Sequence, residues 1–386
     1  MSISCKGGIS AETDDRRGVV VLGATGSVGM QTLEVLRALK GQFRLEAVTC
    51  GHNGGVLQDL ARQNGARNWH CSTDPTHSTL DDAGVRDLIQ SDRVQIVVCA
   101  IQGIAALPYV VCALEAGKRV CLATKEVMVA AGEWINALCQ KHGGEILPVD
   151  SEHCAIFQCL QGERRSSVKN LWLTCSGGPF HAHPEIDLHA VTPEQALRHP
   201  TWNMGKGITL DCASLMNKGL EMIEARWLFR VQPSQVQVVI HPQSVVHSMV
   251  EFTDGAVLSQ MATTSMCLPI QYCLCYPERS ETRVVAPLDF LAQKQEMTFL
   301  PPDETRFHAL AVARKAMKLG GGAGAVFQAA NEAARERFLN HTLAFDEIPQ
   351  AVDVALEGVP APAAPHSLEE AEAIWKAALK FVNKLQ

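Results

Sequence analysis

Two short stretches of this 386-residue chain set acidic side chains in apolar surroundings. In the first, Ile146-Leu147-Pro148-Val149 runs straight into Asp150-Ser151-Glu152-His153. Carboxylates this close repel each other unless a cation offsets them, and an oxygen-only pair suits hard ions such as magnesium or manganese better than zinc. The same residues also fit an ordinary helix start, with Asp150 or Ser151 as N-cap of the helical run Cys154–Leu160. The second stretch, Asp211 to Glu221, puts Asn217, Lys218 and Glu221 at offsets that share one helix face. A solvated face with a Lys–Glu pair would show that spacing too. Here, however, Met222, Ile223, Trp227, Leu228 and Phe229 make much of the helix apolar, so its polar stripe needs something polar to face.

Nearer the start, Gly23-Ala24-Thr25-Gly26-Ser27-Val28-Gly29 follows an apolar run and opens an amphipathic one. The spacing is G-x-x-G-x-x-G, at the kind of strand-to-helix turn where backbone amides meet a pyrophosphate. An NAD site usually closes its second strand with an acid that accepts from the ribose, whereas this chain has Cys50-Gly51-His52-Asn53. His52 and Asn53 can donate to a ribose phosphate, which favours NADP(H). Ser176, before Gly177-Gly178, and His199, in His199–Gly205, lie on turn segments whose backbone amides bind anions readily. His241 and His247 flank a short turn, where packing in the core is the commoner fate of a histidine.

The elements that must hold these residues follow from periodicity. Val19–Leu22, Leu45–Thr49, Asn68–Cys71, Gln95–Cys99, Val120–Ala123 and Glu145–Val149 read as strands, with crossover helices such as Val28–Leu39, Leu57–Asn64 and Glu126–Lys141 between them. That is the rhythm of a Rossmann-like doubly wound sheet, and it places Asp150 and Glu152 at the carboxyl end of a parallel strand, where such sheets hold ligands. Beyond Asp150 the rhythm changes to an α+β domain with one long helical stretch, Ala213–Phe229, and strands at Gln237–Ile240, Ser244–Phe252 and Ala256–Gln260, with Thr253-Asp254-Gly255 as a hairpin turn. From about Pro302 the chain is Ala-rich with helical spacing, broken by the Pro-rich segment 358–365. The expected division is an N-terminal extension (1–17), an NADPH-binding domain (18–149), a catalytic and metal-binding domain (150–285), a linker (286–301) and a C-terminal helical domain (302–386).

Composition narrows the function classes. Hydrophobic residues make up 47% and charged residues 19%, as in a globular enzyme, and the net charge of -7 has no basic cluster to grip nucleic acid. No apolar run is long enough for a membrane span, and the first residues lack a secretory core, so a cytoplasmic protein with no membrane partner is expected. The fourteen cysteines are irregularly spaced without a CxxC pair and read as reduced core thiols; Cys273 and Cys275 are spaced for a strand.

Gly23–Gly29, Ala123-Thr124-Lys125-Glu126, Val149–His153, Ser176-Gly177-Gly178-Pro179-Phe180, His199–Gly205, Met216–Glu221, Ala225–Phe229 and His241–His247 together resemble the 1-deoxy-D-xylulose 5-phosphate reductoisomerase family, over nearly the whole chain after residue 17. The resemblance implies an NADPH-dependent, metal-dependent homodimer that converts 1-deoxy-D-xylulose 5-phosphate to 2-C-methyl-D-erythritol 4-phosphate, the first committed step of non-mevalonate isoprenoid synthesis. It implies Asp150, Glu152 and Glu221 as ligands of Mg2+ or Mn2+. It implies Lys125, Ser151, Glu152, Ser176, His199, Cys212, Asn217, Lys218 and Glu221 around the phosphosugar, and Thr25, Gly26, Ser27, Val28, Gly51, His52, Asn53, Thr124, Glu126 and Gly205 around NADPH. Lys125, Glu152, His153, His199, Trp202 and His247 would serve the chemistry, with Trp202 as the aromatic lid of a mobile loop. The chain departs from the family pattern at Cys212, where serine is usual, at Thr124 for asparagine, at His52 for a basic residue, and at Thr264-Ser265-Met266-Cys267 for Pro-Asp-Met-Arg. A related metal-dependent NADP oxidoreductase on another phosphosugar is the alternative reading. A catalytically silent nucleotide-binding regulator would be expected to lack one of the three acids, and none is missing.

Overall fold

The computed structural model describes residues 14–198, 205–291 and 296–385. Runs of β-branched residues with no exposed face become the strands of a six-stranded parallel sheet. These are β1 (Arg17–Leu22), β2 (Phe43–Cys50), β3 (Asn68–Cys71), β4 (Ile96–Cys99), β5 (Arg119–Leu122) and β6 (Glu145–Pro148). The order β3-β2-β1-β4-β5-β6 is that of a doubly wound dinucleotide fold, with its switch point between β1 and β4. Buried side chains fill both faces of the sheet. The observed strands match the six expected from the sequence to within two residues at each end.

The second sheet is mixed. It comprises β7 (Val168–Cys175), β8 (Val236–Ile240), β9 (Val246–Phe252) and β10 (Val257–Met261), ordered β10-β9-β7-β8, with β7 and β8 parallel and the other pairs antiparallel. The hairpin between β9 and β10 turns at Gly255, whose φ of +89° suits glycine. Periodicity misses β7, because Lys169 and Asn170 blur its alternation before Leu171 and Leu173 turn inward. The helix expected over 213–229 is observed as Met216–Phe229, since Ala213 ends a separate helix, Lys206–Ala213, and the chain turns between the two at Leu215 with φ +62°. Cys273 and Cys275 belong to the helix Cys267–Cys275 and not to a strand; Cys267, Ile270 and Leu274 are buried in the core that this helix shares with the helix Ser27–Ala38, and Cys267 meets Gln31 and Glu34 of that helix. The helices Ala309–Leu319, Ala323–Leu339, Glu347–Gly358 and Leu368–Val382 share one hydrophobic core with the mixed sheet.

The turn after β1 is tight because two of its glycines have no room. Gly23 has φ +84°, and its N–H and that of Ala24 donate to the Thr49 carbonyl of β2. A methyl group at residue 29 would lie 2.2 Å from the Gly23 carbonyl oxygen, a contact that only a backbone shift relieves. Gly29→Ala is therefore predicted to destabilise the fold by about 1–3 kcal/mol, as overpacking does elsewhere. The urea midpoint should fall, and an unchanged midpoint would refute this account of the turn.

Candidate metal and substrate site

Asp150 follows β6 and caps the helix Ser151–Cys159, accepting from the Glu152 N–H at 3.3 Å, so the N-cap reading of this segment holds. The cap does not use up its carboxylate. Carboxylate oxygens of Asp150, Glu152 and Glu221 all lie within 4.8 Å of one another. Glu221 comes from the helix Met216–Phe229 and is 1% exposed, whereas Asp150 and Glu152 are 12% and 19% exposed, so the cluster is walled on one side and reachable on the other. Hard oxygen donors from two facing segments fit magnesium or manganese.

Two ammonium groups thread through the cluster. Lys125 Nζ lies 2.7 Å from Asp150 Oδ2 and 3.1 Å from Glu221 Oε1 and donates to Asn217 Oδ1 at 2.8 Å. Lys218 Nζ lies 2.8 Å from Glu152 Oε1, donates to the Thr174 carbonyl at 2.7 Å and pairs with Glu221 Oε2. Asn217 Nδ2 donates to Glu221 Oε1 at 2.6 Å, and the Ser151 hydroxyl to Glu152. The one-face reading of residues 217, 218 and 221 therefore describes a buried face.

Burial opposes the charge on Lys125 and Lys218, but the carboxylates around them outweigh it and hold both pKa values above the ordinary lysine value. Burial likewise raises Asp150, yet Lys125 and His153 keep it well below the usual carboxylate range. Glu221 goes the other way, pushed up by burial and by Glu152 against the pull of both lysines. A buried carboxylate beside another of its own sign is one whose charge a dication would relieve.

The sequence reading overlooked Glu224. Burial pushes this side chain up to about 7, and its Oε2 lies 3.2 Å from Nδ1 of His153, although neither atom completes a hydrogen bond of good geometry. His153 is fully buried behind the cluster: Nδ1 also approaches Asp150 Oδ1 at 3.4 Å, and Nε2 meets the Glu221 carbonyl at 3.0 Å. Its ring thus bridges the segments that carry the cluster. The available signal was Glu221-x-x-Glu224, a second acid at helical spacing in an apolar stretch.

Ser176 stands on the turn after β7, where its hydroxyl accepts from the Gly178 N–H at 3.4 Å. Gly178 packs against the end of the helix Lys206–Ala213, so that a methyl there would meet the Cys212 carbonyl at 2.8 Å. Cys212, whose thiol burial keeps protonated, comes next to this turn. His247 lies buried on β9, and burial lowers its pKa. His199 and Trp202 lie outside the described residues.

Across the carboxyl edge of the parallel sheet stand the residues expected at a nucleotide. Thr25 and Gly26 lie in the turn after β1 and Ser27 and Val28 open the helix that follows; Gly51, His52 and Asn53 are exposed after β2, with His52 Nδ1 3.2 Å from Thr73 Oγ1. Gly26 has φ -79°, and a methyl there meets only the Gly23 carbonyl, at 3.4 Å, so the protein itself leaves this position open. An open glycine between two crowded ones is the cradle that a pyrophosphate needs. Thr124 donates to the Ile101 carbonyl, and Lys125 and Glu126 begin the helix Lys125–His142. Gly205 precedes the helix Lys206–Ala213 and is exposed.

Comparison with known proteins agrees with this geometry. Family models described as 1-deoxy-D-xylulose 5-phosphate reductoisomerase match residues 19–132, its C-terminal domain residues 146–229, and the DXP reductoisomerase C-terminal domain residues 261–381. The chain is 44% identical over 355 residues to 1-deoxy-D-xylulose 5-phosphate reductoisomerase of Heliobacterium modesticaldum, spanning 88% of this chain and 90% of that protein. It is also similar to the Zymomonas mobilis enzyme solved with NADPH, at 37% identity and a TM-score of 0.86 over 95% of this chain and 98% of that one. A DOX-P reductoisomerase solved with NADPH, fosmidomycin and magnesium gives 36% identity and a TM-score of 0.88 over 95% and 97%.

Outer-shell partners of metal ligands are commonly worth about 10- to 100-fold in metal affinity. Glu224→Gln keeps the shape and removes the charge beside His153, so Mn2+ binding, followed by the electron paramagnetic resonance of the free ion, should weaken by roughly that factor. An unchanged dissociation constant would remove Glu224 from the site.

Proposed function

Because this chain belongs to the 1-deoxy-D-xylulose 5-phosphate reductoisomerase family, we propose a division of labour among its residues for the reaction that the family name denotes. The reaction is the NADPH-dependent rearrangement and reduction of 1-deoxy-D-xylulose 5-phosphate to 2-C-methyl-D-erythritol 4-phosphate. The observation that carries the reading is the meeting of Asp150, Glu152 and Glu221 within 4.8 Å, at the carboxyl edge of a sheet whose first turn is built for a pyrophosphate.

Asp150, Glu152 and Glu221 hold a divalent ion, Mg2+ or Mn2+, which when bound polarises the substrate oxygens as a Lewis acid while NADPH supplies the hydride. Lys125 stays an ammonium at neutral pH, so it orients the substrate and offsets negative charge on its oxygens instead of serving as a base. The Ser151 hydroxyl donates to Glu152 and holds that carboxylate where it can take a proton from a substrate hydroxyl and return it. Lys218 and Asn217, with Ser176 and Cys212 across the Gly178 contact, receive the phosphate end of the sugar. Cys212 is a weaker donor than a hydroxyl, so this end leans on the lysine. His153 positions Asp150 from behind. His247 completes the substrate side, and the roles that the resemblance gives to His199 and Trp202 fall outside the described residues. Thr25, Gly26, Ser27, Val28, Gly51, His52, Asn53, Thr124, Glu126 and Gly205 receive NADPH, and His52 and Asn53 donate to the ribose phosphate.

The domain division 18–149, 150–285 and 302–386, with the linker 286–301, is supported by the end of the parallel sheet at Pro148 and by the helices that begin at Ala309. We assign the protein to the cytoplasm because all thirteen described cysteines are free thiols, as a reducing compartment keeps them. Among the described residues no helix is long and apolar enough to cross a membrane. A homodimer is supported by β10, an edge strand with Val257 and Leu258 exposed. Light scattering should return the mass of two chains, and that of one chain would refute the dimer.

Mixing the protein with 1-deoxy-D-xylulose 5-phosphate, NADPH and magnesium should consume NADPH absorbance. Glu221→Gln should lower kcat by at least about 100-fold even at high metal, the scale on which one aligned charge contributes. Retained turnover in that variant would take Glu221 out of the mechanism.

A further inference from the structure

Asp211 is 2% exposed, and it immediately precedes Cys212. Its carboxylate is held from a helix more than a hundred residues further along the chain. Asn331 Nδ2 donates to Asp211 Oδ1 at 2.9 Å, and the Arg335 guanidinium pairs with Asp211 Oδ2; both partners lie on the helix Ala323–Leu339. Arg335 also closes on the start of the same helix as Asp211, since a methyl at Gly207 would come within 3.2 Å of Arg335 Nη1. One guanidinium therefore touches the helix Lys206–Ala213 at both ends.

That helix also buries Leu210 and Ala213 in the core, and its last turn ties it to the groups read as the phosphate end. Its last turn lies against Gly178, two residues from Ser176, with contacts of 2.8 Å to the Cys212 carbonyl and 3.1 Å to Ala213 Cα for a methyl at 178. It leads through Leu215, at φ +62°, into the helix that carries Asn217 and Lys218. Backbone packed this closely on one side and turned this sharply on the other passes on any slide of the helix to all four side chains.

We infer that Arg335, acting through Asp211, is a positioning residue that sets the spacing of Ser176, Cys212, Asn217 and Lys218 for the phosphate group of the substrate. This rests on the reading of those four residues as the phosphate end. Arg335 does not touch the substrate. It holds the helix that does, so its loss acts on affinity for the phosphorylated sugar more than on the chemical step, which belongs to the carboxylate cluster.

The test uses the full-length enzyme with magnesium and NADPH. It compares Arg335→Met, Arg335→Lys, Ser176→Ala and Arg314→Met, the last removing a surface pair with Glu304 in the same helical region. Readouts are kcat, KM for 1-deoxy-D-xylulose 5-phosphate, inhibition by inorganic phosphate and the thermal midpoint. Arg335→Met should raise KM roughly tenfold, weaken phosphate inhibition in parallel and leave kcat within about twofold, because sub-ångström misplacement acts on binding geometry. Arg335→Lys keeps the charge but not the fork and should fall between wild type and Arg335→Met; it reads the question by itself if the Met variant does not fold. Arg314→Met should move neither constant. A lower midpoint with unchanged KM and phosphate inhibition in the Arg335 variants, while Ser176→Ala shifts both, would overturn the inference and leave the phosphate-end reading standing. Unchanged values in Ser176→Ala as well would remove that reading and the inference with it.

Discussion

Four carboxylates, those of Asp150, Glu152, Glu221 and Glu224, are gathered into one partly buried cluster against the two ammonium groups of Lys125 and Lys218. Buried charge of one sign is among the costliest arrangements a fold can hold, and the penalty falls only when opposite charge is fixed within a few ångströms. Much of the architecture meets that requirement. Lys125 must stand at the start of a helix after β5, and Asp150 at the end of β6, because neighbouring parallel strands deliver both to the same edge. Glu221 must come from the other side, so the helix Met216–Phe229 has to lie buried between the helix Lys125–His142 and the C-terminal helix Ala309–Leu319.

That burial explains the glycines at the junction. A methyl at Gly132 would meet the Trp227 ring at 2.3 Å, and one at Gly324 the Val129 carbonyl at 2.1 Å. The helices Lys125–His142 and Ala323–Leu339 approach backbone to backbone at Gly324, and Gly132 makes room for the Trp227 ring of the helix Met216–Phe229. The C-terminal helices contribute no cluster ligand, yet they pack at Gly219 and Ile223 on the helix that carries Glu221 and Glu224. Their core is continuous with that of the mixed sheet.

The parallel sheet was legible in the sequence because a strand buried on both faces is apolar throughout and each crossover helix repeats the same local pattern. Asp150 and Glu152 were legible for the same reason, since they end such a strand. Glu221 was visible only as a polar stripe on an apolar helix, and no rule of spacing says that residues 150 and 221 meet; that depends on tertiary packing. β7 escaped notice because it is the central strand of a mixed sheet whose partners lie some seventy residues on, and its first residues carry polar side chains at the sheet's end. The helix break at Leu215 was equally invisible. A leucine at positive φ has no local cause and is tolerated only where its surroundings over-determine it. Glu224 and Arg335 belong to the same class: each is an unremarkable charge on a helix until the fold brings His153 or Asp211 against it.

The nucleotide turn and the carboxylate cluster are built on opposite principles. The turn is local: Gly23 and Gly29 are glycine because backbone crowds them, and Gly26 is left open for a ligand. It can form as soon as β1, β2 and the first helix pair. The cluster is non-local: its carboxylates come from the helix start that follows β6 and from a helix docked by the last third of the chain, so it exists only once every domain is in place. Oxygens whose mutual repulsion the two lysines only partly offset resist closer approach until a cation draws them in, which means that metal binding and the docking of the helix Met216–Phe229 favour each other. The site therefore reports the integrity of the whole chain, whereas the turn reports only that of its first domain.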